Sequence, residues 1–222
     1  MKKINFFLAS CFLATVLMTS CDPNKSSGND PSNPNGNKID PLSDKGVVIN
    51  GYRWATRNVA APGTFADKLE STGMYYLWDR NVGWSATDPI QSSDGSAWIN
   101  YNSSLSSYWK DENNPCPKGW FVPSRNIFDQ LIDAGFTWTT VNKVGGLLLG
   151  SGDDTIFLPA AGLRLGDSDG KLYNVGTSGG YWSSMQYDKY NAYSLVFFGN
   201  DPYSGHHTSK SSGRSVRCVK AE

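Results

Sequence analysis

Two cysteines late in the chain set the strongest limit on how it can fold. One stands in Cys116-Pro117-Lys118-Gly119-Trp120 and the other in Ser215-Val216-Arg217-Cys218-Val219. Of the remaining two, Cys11 lies in an N-terminal stretch that reads as removed, and Cys21 has a separate job. Cys116 and Cys218 are thus left to each other. A bridge between them would fasten the last strand to the middle of the domain, across about 100 residues. It would also occupy the thiols that several enzyme mechanisms need.

The first residues have the layout of a bacterial export signal, expected to span 1–20. Lys2 and Lys3 form a positive start, and Ile4 to Met18 form an apolar run too short for a comfortable membrane span. Leu17-Met18-Thr19-Ser20-Cys21 resembles the lipobox of bacterial lipoproteins, which makes Cys21 the expected lipidation site. Acyl chains hold a protein to a membrane by burying methylenes at about 0.8 kcal/mol each, so two or more anchor it stably. Residues 21–45 then read as a tether. Asp22 to Gly36 is built of Pro, Asn, Gly, Ser, Asp and Lys, with nothing able to pack a core. As a coil it would hold the domain about 25–30 Å from the lipid. The expected setting is the cell envelope, anchored to the outer membrane and displayed at the surface. Export also permits a disulfide.

Charge narrows the partners. Losing Lys2 and Lys3 from 20 basic residues leaves 18 against 20 acidic ones, a balance of −2. No basic stripe is visible, so nucleic acid is not expected as a partner. Residues 46–222 suit one domain. It is rich in rings, with 8 Trp and 11 Tyr in the chain, and 23 Gly punctuate it.

Short β-type runs dominate. Val47-Val48-Ile49 and Tyr52-Arg53-Trp54 flank Asn50-Gly51, a dipeptide suited to a type I′ turn. Met74 to Trp78, Thr155 to Pro159, Gly180 to Ser184, Ala192 to Phe198 and Ser215 to Lys220 read as strands. One helix stands out: Ser124 can cap it, Ile127/Leu131 and Phe128/Ile132 pair at i,i+4, and Gly135 can end it. The expected class is α+β, with mostly antiparallel short strands, one clear helix and long irregular loops.

Four motifs in order carry a resemblance to a known family. They are Cys-Pro-x-Gly-Trp-x-x-Pro-Ser at 116–124, Leu-Pro-Ala-Ala-Gly-Leu-Arg at 158–164, Gly-Tyr-Trp-Ser-Ser at 180–184 and Gly-x-Ser-Val-Arg-Cys-Val at 213–219. Together with Gly51 to Val59 and Tyr76-Leu77-Trp78, they resemble the Fibrobacter succinogenes major paralogous domain, common in exported proteins of Bacteroidetes-type bacteria. That family is similar to C-type lectin-like folds and to the sulfatase-modifying enzyme fold. In that group a cysteine at the first helix bridges to the last strand, and Cys116 and Cys218 occupy the matching places. The resemblance therefore implies a C-type lectin-like domain over 46–222 with that bridge.

The residues exclude several chemistries. The calcium-dependent sugar triplets of C-type lectins are missing, and Gly199-Asn200-Asp201-Pro202 is only a distant approach to one. Asp167-Ser168-Asp169-Gly170 opens like a calcium loop, but Lys171 and Ser178 stand where further oxygen ligands belong. A hairpin turn between Leu163-Arg164-Leu165 and Lys171-Leu172-Tyr173 explains it better. His206 and His207, the two histidines, are expected on one loop with Asp201 as the one acid near in sequence, too few ligands for a metal site. No nucleophile elbow and no phosphate loop is present. Neither catalytic residue nor cofactor is expected, and the thiols of a sulfatase-modifying type enzyme would be bridged.

Exposed rings remain. Trp182 reads as core. Tyr187, Tyr190 and Tyr203 sit in polar stretches with Asp201 and His206, and these five are the candidate ligand-binding residues. Rings with polar tips suit sugar faces and protein hot spots. The expected function is a lipid-anchored recognition module for an extracellular glycan or surface protein, held by loops between 162 and 210. The alternative is an accessory subunit of a surface filament or complex.

Overall fold

Asn50 and Gly51 both take positive φ, 47° and 80°, as a type I′ turn requires. They fold Val47–Ile49 (β1) onto Tyr52–Asn58 (β2), with Ile49 opposite Tyr52. The far edge of β2 accepts the last strand, Arg217–Ala221 (β13), antiparallel, so the sheet order is β1-β2-β13. The computed structural model describes residues 40–167 and 169–222. The expected export signal, the expected lipidation site Cys21 and the expected tether up to residue 39 lie outside the described residues. Contacts of the domain begin ahead of residue 46. The Asp44 carboxylate accepts from the Arg57 Nε at 3.2 Å and from the Thr56 hydroxyl, and Phe65 N donates to the Pro41 carbonyl at 2.7 Å.

The helix forms where the sequence predicts it, at Arg125–Asp133 (α1). The Ser124 hydroxyl accepts from Ile127 N, and Gly135 follows at φ +103°. Its i,i+4 apolar face buries Ile127, Phe128 and Leu131. A three-strand meander comes next: Phe136–Val141 (β5), Val144–Ser151 (β6) and Asp154–Pro159 (β7). Asn142 and Lys143 supply positive φ at its first turn. Before the helix, pairing is sparse. Between β2 and the helix, the paired strands among the described residues are Tyr75–Tyr76 (β3) and Gly83–Trp84 (β4), beside isolated bridges such as Val59–Phe65, so the strand expected over Met74–Trp78 shrinks to two residues inside a buried run.

The Asp167 segment is a turn, as expected. Leu163–Arg164 (β8) pairs with Leu172–Tyr173 (β9), and the Asp167 carboxylate accepts from the backbone N–H of Asp169 and Gly170. The last sheet is Ser178–Gln186 (β10), Asn191–Phe198 (β11) and Pro202–Ser209 (β12), in that order and antiparallel. Among the described residues the architecture is α+β: small antiparallel sheets and one α-helix. No described helix is long and apolar enough to cross a membrane.

Strand alternation organises the core. Successive side chains of a strand point to opposite faces, and three strands use this to serve two apolar clusters. Trp54, Tyr181 and Val219 join Phe128, Leu131, Leu147, Leu158 and Phe197 on the helix side. Their neighbours Ala55, Trp182 and Cys218 join Phe65, Trp78, Trp109 and Trp120 on the other. There Cys116 and Cys218 form a disulfide, with Cα atoms 6.0 Å apart.

Candidate functional site

The sheet β10-β11-β12 positions every candidate ligand-binding residue, and β12 corrects the reading of His206 and His207 as lying on a loop. A stretch written Pro-Tyr-Ser-Gly-His-His-Thr-Ser has no apolar alternation, yet it pairs with β11 along its length. His206 registers with Ser194 and His207 with Tyr193, so the two histidines alternate along a strand and do not share one loop. Among the described residues, no group of three or more His, Cys, Asp or Glu side chains is placed to hold a metal.

At one end of this sheet the rings meet. Tyr187 stacks on His207, with centroids 4.3 Å apart and planes 8° apart, and meets Tyr193 edge-on at 5.3 Å. The Arg125 guanidinium, from the first turn of α1, lies 5.1 Å over the Tyr193 ring. Tyr190 lies in the β10–β11 turn. The Asp188 carboxylate accepts from the N–H of Tyr190 and of Asn191, both at 2.7 Å, and from the Asn191 amide. The Asn191 side chain, then the Tyr190 N–H, hold that carboxyl below its ordinary range. Tyr190 is 68% exposed, with the Lys189 ammonium 5.2 Å over its ring.

Asp201 and Tyr203 do not join this group. They sit at the β11–β12 turn, where Pro202 registers with Phe197 and Tyr203 with Val196. Three residues of strand, about 10 Å, separate Val196 from Tyr193. His206 lies between the two ends, its Nδ1 3.1 Å from the Thr208 hydroxyl. Burial, then the cations of Arg214 and His207, hold its pKa below the ordinary histidine value.

Two buried cations that sequence reasoning missed support this surface. The Lys210 ammonium donates to the Ser104 carbonyl at 2.9 Å, the Gln186 amide oxygen at 2.8 Å and the Lys189 carbonyl at 3.3 Å. It also lies 4.5 Å over Trp78, so one side chain clamps the 104 segment to the β10–β11 hairpin. Arg214 is buried over Trp182, and its Nη2 donates to the Thr208 hydroxyl at 2.8 Å. Burial pushes its pKa down to about 10. Nothing local in Ser209 to Ser215 marks either residue as buried; only the tertiary neighbours do.

Residues 129–219 match a family model described as a domain of unknown function (DUF8237). The matched stretch runs from within α1 to β13, and so contains the whole β10–β12 sheet. No curated protein and no solved structure matches the chain.

Proposed function

We propose that this chain is a recognition module of the cell envelope: a C-type lectin-like head, lipid-anchored through Cys21 and displayed from the outer membrane. It binds an extracellular glycan or surface protein with the exposed side of the β10–β12 sheet. The observation that carries this reading is the Tyr187–His207 stack, an exposed pair of rings fixed by Tyr193 and Arg125 beneath it. Rigid rings with polar tips offer large contact area at low entropy cost, and they dominate binding hot spots. The reading is non-enzymatic. The two cysteines of the described domain are joined, so cysteine-pair chemistry of the sulfatase-modifying type has no thiols here.

The test is a glycan array and an envelope pull-down with the wild-type chain and with Tyr187→Ala and His207→Ala. A hot spot is worth about 2 kcal/mol or more, so each substitution is expected to weaken capture by about 30-fold. Undiminished capture by both variants overturns the assignment to this surface. Protease shaving of intact cells checks display, since a domain left untouched contradicts it.

One observation favours the accessory-subunit reading as an alternative: β12 is an edge strand, paired on one side only. Unpaired strand edges accept further strands. Stoichiometric recovery of a sister protein with no glycan retained supports that alternative.

A further inference from the structure

A second concave surface lies outside the five residues discussed above. A cleft of about 260 Å³ opens between the 108–114 segment, Phe121-Val122 and Ser184 of β10. Its frame is fixed by backbone hydrogen bonds. Trp109 N donates to the Ser184 carbonyl, Ser184 N to the Pro123 carbonyl, and Phe121 and Val219 exchange a pair at 2.9 Å. The Cys116–Cys218 bridge lies next to that last pair. Trp109 and Val122 are buried residues of its lining, while Tyr108 and Phe121 are 60% and 38% exposed.

The polar groups around the cleft divide into used and unused. The Trp109 indole N–H donates to the Asn113 carbonyl, and the Asn114 amide serves Trp120 and Cys116. The Tyr108 phenol, the Asp111 carboxylate and the Ser184 hydroxyl make no hydrogen bond to any described residue. The cleft thus offers apolar ring surface beside one acceptor of full charge and two hydroxyls that both donate and accept.

We infer that this cleft is a saccharide subsite for a neutral sugar unit. A pyranose has C–H faces that cover aromatic rings and a belt of hydroxyls that donate and accept at once, which matches both halves of the lining. Its volume falls just under the roughly 300–1,000 Å³ of pockets for drug-sized ligands, the right scale for one ring of a longer chain. A purely apolar occupant would strip water from Asp111 without replacing it, which costs free energy. An acidic sugar would meet the same carboxylate with like charge. Ser184 and Tyr187 are three residues apart, so their Cα atoms are at most about 11 Å apart. The inference rests on the recognition-module reading and names a ligand class for it.

The test is ligand-observed saturation-transfer NMR and titration of the full chain with neutral di- to hexasaccharides. Wild type is compared with Tyr108→Ala, Asp111→Asn and Tyr187→Ala, each checked for an unchanged melting temperature. Tyr108 and Asp111 are exposed, so both variants are expected to fold. The expected result is about tenfold or greater weakening for Tyr108→Ala and Asp111→Asn. Saccharide bound at wild-type affinity by both variants overturns the subsite and leaves the recognition reading standing. Capture of a protein through Tyr187, with no saccharide bound by wild type, does the same. A wild-type chain that captures neither overturns both.

Discussion

The environment of His206 fixes the sign of its effect on stability. Burial, Arg214 and His207 disfavour its cation in the folded state. The unfolded chain restores a value of about 6.5. Between the folded and unfolded values, the unfolded chain therefore holds a proton that the native one lacks. Stability rises with pH in that window, and it falls as pH drops through about 6.5. Below the folded value both states are protonated and the loss stops growing. Carboxylates such as Asp188 titrate lower and add their own acid sensitivity there. Urea denaturation at pH 7.5 and pH 5, for wild type and His206→Gln, reads the effect directly. The wild type is expected to lose more stability than the variant over this interval; identical losses would show that His206 is solvated like a free histidine.

Among the elements, β10 shows how close approach decides sequence. Gly179 and Gly180 sit side by side in it, facing opposite ways. A Cβ on Gly179 would lie 2.0 Å from the Phe197 ring, and one on Gly180 would lie 1.9 Å from the Arg214 guanidinium. Arg214 is held in place there, buried against Trp182 and tied to Thr208. Gly180→Ala is therefore expected to cost about 1–3 kcal/mol, the range for overpacking a filled interior. Chemical denaturation measures it, and a change under 0.5 kcal/mol would mean the guanidinium can swing aside. Elements with local signals were legible from the chain: the Asn50-Gly51 hairpin, the helix between Ser124 and Gly135, and β7, β10 and β11 as apolar runs. Elements whose reason is tertiary were not. Gly145 and Gly146 look like loop punctuation, yet they lie in β6 because the Trp138 and Phe157 rings fill the space where side chains would be. β12 lacks apolar alternation because it is an edge strand, held by its backbone pairing to β11. The same limit applied to the site. The chain marks Tyr187 and His206 as candidates, but it is His207 that stacks on Tyr187, an arrangement that follows from the register of β11 with β12.

On the scale of the whole molecule, the disulfide and the shared strands act on different states. β2, β10 and β13 each give successive residues to the two apolar clusters, so neither cluster can empty without exposing a strand of the other. That coupling belongs to the native state and makes one cooperative transition the expected behaviour. The bridge works on the unfolded chain, where it closes a loop between residues 102 apart in sequence. Chain-entropy reasoning gives about 4–5 kcal/mol for a loop of that size. For a domain of this length each kcal/mol moves the melting temperature by about 2–4 °C. The Cys116→Ala/Cys218→Ala variant is therefore expected to melt roughly 10–20 °C lower, and still in a single transition, when followed by circular dichroism. A second, earlier transition would show that the bridge itself couples the clusters, and that the shared strands do not. A shift of only a few degrees would place the constraint elsewhere, in residual structure that already keeps the two cysteines close in the unfolded chain.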